Sequence, residues 1–116
     1  MATAFVVQDH LRGREPVVAS IYEALTTAVS RLGPFKSEAK KTSIHFVRST
    51  AFAGVATRKA SLILTLKAAS DIKSPRVTKH EQVSTSRWHL EVRLESPRDV
   101  DAEIRAWLKD AYELSS

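Results

Sequence analysis

At 116 residues, with 43% hydrophobic and 27% charged side chains, the chain has the length and balance of a single folded domain, residues 1–116, and two units would each be short of core. Its formal net charge of +5 permits attraction to polyanions without demanding it, and its longest apolar stretches, Ala4 to Val7 and Leu62 to Leu66, fall far short of the roughly 20 residues that cross a bilayer. The absence of cysteine excludes disulfides, thiolate catalysis and thiolate metal sites together.

The first fourteen residues place an apolar patch, Phe5-Val6-Val7, before a polar run through Gly13, a pattern equally suited to a short strand, a helical turn or a docked arm. Asp9, His10 and Arg12 interrupt any basic start and apolar middle of a signal peptide, which favours a cytoplasmic home. From Pro16 the apolar residues Val17, Ile21, Leu25, Ala28 or Val29, and Leu32 recur at steps of three and four, so residues 16–32 are predicted to be a helix. Pro16 suits its first turn, where a missing N–H costs nothing, and Gly33-Pro34 supplies a left-handed cap and a stop.

Beyond the helix the period changes to two. Ile44 and Phe46 mark one strand, Phe52 to Val55 a second, and Leu62, Leu64 and Leu66 a third, with Arg48 to Thr50 and Thr57 to Lys59 as hairpin connections. Ala68 to Pro75, with Ser70, Asp71, Ser74 and Pro75, is a loop. Val77 to Val83 is a weaker strand. The clearest alternation follows: Trp88, Leu90, Val92 and Leu94 against Arg87, His89, Glu91 and Arg93, as in an antiparallel sheet with one packed and one wet face. A second helix is predicted after Ser96 as cap and Pro97 at the first helical position, with Asp99 and Asp101 near its positive end. Val100, Ile104, Trp107, Leu108 and Ala111 form its buried stripe, with Trp107 as the main anchor. The predicted fold is α+β in two layers: an antiparallel meander of four or five strands, covered on one face by an N-terminal and a C-terminal helix.

Chemistry is sparse. Gly13, Gly33 and Gly54 are isolated and build no phosphate loop, no histidine pair stands at i, i+4 on a helix, and no serine lies in a nucleophile elbow, so no catalytic residue, metal or cofactor is assigned. His45, His80 and His89 each lie in a predicted strand; if His45 and His89 met beside Glu91 they could bind a metal or move protons near neutral pH. Isolated histidines on wet strands usually face solvent, and the sheet order that would decide is not readable here. The second candidate is a basic sheet side comprising Arg58, Lys59, Lys67, Lys73, Arg76, Lys79, Arg87 and Arg93, with Lys36, Lys40 and Lys41 beside it. Such charges suit phosphates, although the aromatic rings that stack on bases point inward here. His45, His80, Arg87, His89, Glu91 and Arg93 therefore define the expected partner face. Its two readings are a binding module for an anionic partner such as nucleic acid, held non-specifically, and a small-ligand protein or enzyme using the strand histidines. A homodimer formed through the sheet is compatible with either, and no membrane partner is implied.

The run Leu32-Gly33-Pro34, Ser43-Ile44-His45-Phe46, Ala51-Phe52-Ala53-Gly54-Val55 and Leu62-Ile63-Leu64-Thr65-Leu66 resembles an uncharacterised bacterial family, a domain of unknown function sometimes labelled a predicted transport protein. The sequel is Ser74-Pro75-Arg76, Trp88-His89, Ser96-Pro97, Asp99 to Asp101 and Ala111-Tyr112. The likeness runs from about Phe5 to Leu114 and consists of caps, turns and strand residues. It implies a domain that stands alone in some proteins and is joined C-terminally to other modules, nuclease-like ones included, and it carries over no site residue.

Overall fold

The computed structural model describes residues 5–116. Three helices, α1 (Val7–Leu11), α2 (Pro16–Ser30) and α3 (Ala102–Glu113), accompany six strands: β1 (Lys36–Ala39), β2 (Ile44–Val47), β3 (Ala51–Thr57), β4 (Leu62–Ala68), β5 (Val77–Ser84) and β6 (Arg87–Leu94). The α+β class and the antiparallel sheet are as expected, but the strands number six rather than four or five. The unforeseen strand is β1. Its sequence, Lys-Ser-Glu-Ala, is exposed along nearly all its length and offers no apolar alternation, so only its pairing with β2 reveals it.

The sheet order is β1-β2-β3-β4-β6-β5, which corrects the predicted meander. After β4 the chain passes the position next door, lays β5 at the edge, and returns through β6 into the gap. Burial explains the exchange. Leu90, Val92 and Leu94 on β6 are buried, whereas β5 buries only Val77, so the apolar strand takes the slot with neighbours on both sides. The long connection from Ala69 to Arg76 makes this crossing feasible.

Both long helices lie on the inner face, α3 over β3 and β4 and α2 against β4. Ile21, Leu25, Ala28 and Val29 from α2 meet Ile104, Leu108, Ala111 and Tyr112 from α3 over the inward residues of the strands. The stripe of α2 is displaced by one residue at its start: Val18 is fully buried, while Val17 and Leu32 only flank the core. At the β2–β3 side the core is aromatic. Phe46 packs edge-on to Phe35 with centroids 5.5 Å apart, and Phe52 does the same to Tyr112 at 5.3 Å. A bulge aims Phe52 inward: Phe46 pairs with Ala53 and Val47 with Ala51, leaving Phe52 extra and buried.

The approach to the last helix differs from expectation. Pro97–Asp99 is a separate 3-10 turn whose Asp99 carboxylate accepts the Ser96 and Glu95 N–H groups, and the N-cap of α3 is Asp101, which accepts from the Ile104 N–H at 3.2 Å. Trp107 is only half-buried, at the rim of the core; Ile104, Leu108 and Ala111 are the residues that α3 buries fully. Arg76 donates to both Asp101 carboxylate oxygens, to Glu103 and to the Asp99 carbonyl, so it clamps the crossover loop to α3 and leaves the basic face to which the sequence assigned it.

The undecided N-terminal stretch contains α1, with Met1 to Ala4 outside the described residues. Its anchor is His10, which is buried and whose Nε2 donates to the Lys40 carbonyl at 2.7 Å, while the Thr57 hydroxyl donates to the His10 carbonyl at 2.6 Å.

Candidate functional site on the open sheet face

Among the described residues no helix covers the second face of the sheet, and the register fixes what it displays. One row crosses five strands from His45 on β2 through Gly54, Thr65 and Glu91 to Lys79, with Glu38 of β1 at its start; two residues along, Lys67 of β4 pairs with His89 of β6 and His89 with Glu81 of β5. Because side chains alternate, these residues stand opposite the core. The middle of this face is low. Ala51, Gly54, Ala56 and Thr65 form the floor of a trough of about 230 Å³, with Ser43 and His45 on one side and Lys67 and His89 on the other.

His45 and His89 thus share a trough, as the small-ligand reading required, but they do not form a cluster. Their strands are three spacings apart, about 14 Å, so no single atom could bridge both imidazoles. Among the described residues no group of three or more His, Cys, Asp or Glu side chains could hold a metal ion, which overturns the grouping of His45, His89 and Glu91 as ligands. His45 hydrogen-bonds through Nε2 with the Ser43 hydroxyl at 3.1 Å. His80 is elsewhere: it pairs with Leu90, whose side chain is in the core, so it faces the helix side, where its ring bonds to Asp71 of the crossover loop.

The basic side chains of this face alternate with acidic ones. Lys79 lies 3.8 Å from Glu91, His89 3.8 Å from Glu81 and Arg93 3.7 Å from Glu95. Arg87 donates to the Ser86 carbonyl beside it. Lys67, like Arg87, has no acid partner among the described residues. Its ammonium donates to the hydroxyls of Thr50 and Ser115, each at 3.0 Å, and none of the ion pairs among the described residues includes it. Burial, and after it the charge of Arg87, hold the Lys67 ammonium below the usual lysine range.

The sequence named His45, His89 and Lys67 but had no means to group them, since their proximity depends on β6 lying beside β4. Gly54, Ser43, Thr50, Thr65 and Ser115 were missed as members of this face. Only Gly54 carried a legible signal, a glycine inside an otherwise regular strand.

These features define a class, an α+β domain with one bare antiparallel sheet face bearing a trough. The chain matches the family described as Domain of unknown function (DUF5655) over residues 7–115, and it belongs to that family. No curated protein and no solved structure matches it.

Proposed function

We propose that this domain binds a small ligand in the trough of the open sheet face, with a ring of the ligand lying over Gly54 and the Ser43–His45 and Lys67–His89 sides bounding it. Gly54 is the observation that carries the reading. Its φ is not positive, and a Cβ built there meets its nearest neighbours, His45, Ile44 and Thr65, at an ordinary 3.8–3.9 Å. The fold therefore has no need of glycine at this position, although glycine weakens a strand by roughly 0.5–1 kcal/mol. Space above the sheet is what glycine provides. At about 230 Å³ the trough suits a molecule of one ring rather than a drug-sized one. Acidic side chains interspersed among Lys79, Arg93 and His89 favour this reading over a continuous phosphate-tracking surface. The proposal concerns residues 1–116 as one domain, acting in a bacterial cytoplasm, and it assigns binding rather than catalysis to His45, His89 and Arg87. His80, Glu91 and Arg93 are placed outside the contact.

Gly54→Val tests it. The valine side chain fills the trough and favours the strand, so the variant is expected to melt at or above the wild-type temperature while losing ring binding. Titration of the wild type with indole, followed by amide NMR, should give saturable shifts confined to residues 51–56, Thr65, His45 and His89. Shifts scattered over the surface, or unchanged in Gly54→Val, would refute the trough. A single-stranded oligonucleotide perturbing the whole face at low salt, with indole silent, would restore the nucleic-acid reading.

A further inference from the structure

Resting on the trough reading, we infer that its Lys67 end is a seat for an oxyanion, so that the ligand class is a small ring bearing a carboxylate or phosphate. Lys67 sits half-buried in mid-sheet, where a lysine ordinarily reaches a carboxylate or extends into water. Here both its hydrogen-bond partners are neutral hydroxyls, Thr50 Oγ1 and Ser115 Oγ, and Thr50 in turn donates to Ser115 at 3.1 Å. The arrangement fixes the ammonium in place without neutralising it. An ammonium has three protons to donate, and two are committed. Lys67 and its register partner His89 both line the trough, and Arg87 is near enough for its charge to act on Lys67. The Lys67 ammonium, without a matching carboxylate and next to an apolar floor of Ala51, Gly54 and Ala56, fits an anion attached to a flat apolar body.

The hydroxyl partners come from two distant parts of the chain. Thr50 is in the β2–β3 turn, and Ser115 follows α3, held by its carbonyl to the Ser49 N–H at 3.0 Å. The segment that follows α3 is thereby part of the proposed seat.

Calorimetric titration at low ionic strength with benzamide, benzoate and phenyl phosphate separates the proposals. Benzoate and phenyl phosphate should each bind at least tenfold more tightly than neutral benzamide; whichever is the tighter distinguishes a carboxylate from a phosphate ligand. The advantage should fall to within twofold in Lys67→Gln, return in part in Lys67→Arg, and persist in Lys59→Gln, whose site lies in the β3–β4 turn at the opposite end of the strands. Thermal melts of each variant confirm that folding is retained. An anion preference that survives Lys67→Gln, or benzamide binding as tightly as benzoate, would overturn the oxyanion seat while leaving the trough standing. If none of the three rings binds, the trough itself is refuted.

Discussion

Tyr112 and Gly33 show how one residue fixes another's identity. The Tyr112 hydroxyl donates to the Pro34 carbonyl at 3.0 Å, and its ring passes so close to Gly33 that any Cβ there would strike the phenolic oxygen; Gly33 also has φ +147°. The sequence placed a left-handed cap at Gly33 after a helix reaching Leu32, but α2 ends at Ser30 with Arg31 as its C-cap, and the tyrosine that demands Gly33 lies some eighty residues away and leaves no local trace. Gly33→Ala should therefore cost about 1–3 kcal/mol of stability from strain and collision, and Tyr112→Phe about 1 kcal/mol from the lost hydrogen bond. In the double variant the hydroxyl is gone before the methyl arrives, so the two costs should sum to less than their separate values. Chemical denaturation of the four proteins measures this coupling. Strict additivity would mean that the backbone conformation alone excludes a side chain at position 33. Gly54 is the converse case, a glycine with neither close neighbour nor unusual backbone, and it is informative for that reason.

Elements were legible in proportion to how much apolar surface they bury. The α2 helix and the β6 strand declare themselves by period, whereas β1 is held by backbone pairing and has no apolar face to announce it. The start of α3 was misplaced because Ser96-Pro97 and Asp101 are both valid openings in one dimension; Val100 separates them by ending the 3-10 turn outside helical geometry. Asp101 then does two things at once, capping α3 and binding Arg76 from the crossover loop. The Arg76 hydrogen bond, and after it the Ile104 N–H, hold the Asp101 carboxyl below the usual carboxylate range. A carboxyl lowered in the folded state stabilises fully above its unfolded value of 3.8, and this contribution is lost as pH falls below that point through the folded value. Asp101→Ala should cost about 1–2 kcal/mol at neutral pH, mostly through the cap. Asp101→Asn keeps an acceptor for the cap and should cost less, and its deficit relative to wild type should shrink as pH drops below the carboxylate range. Urea melts at neutral pH and at acid pH read both effects, and a deficit independent of pH would show that the pairing with Arg76 contributes nothing to stability.

For the whole molecule the asymmetry of the sheet governs both stability and function. Helices seal one face, and the edge strand β5 overhangs them, which is why its inward positions His80 and Gln82 are polar and why His80 could not join the other two histidines. Strand order is a contest among whole elements for the interior slot, so a reading that placed each strand correctly could still leave His45, His89 and Lys67 unconnected. Both edges are guarded: β5 bears register shifts near each end, and β1 presents Lys36 and Glu38, features that oppose pairing with the sheet of a second copy. Among the described residues no helix is long and apolar enough to cross a membrane. Protection should follow the same gradient. β4 is flanked by β3 and β6 and lies beneath both long helices, so its amides should open only with global unfolding, whereas β1 is four residues long with one free edge. Native-state hydrogen exchange should therefore find the Leu64 and Leu66 amides slower than those of β1 by about a thousandfold or more, the ratio set by global against local opening. Added benzoate should slow exchange in the β3–β4 centre and at Ser115 but not in β5, since only the former border the trough and its Lys67 end. Equal slowing of β5 would mean that the ligand stabilises the fold from some other place.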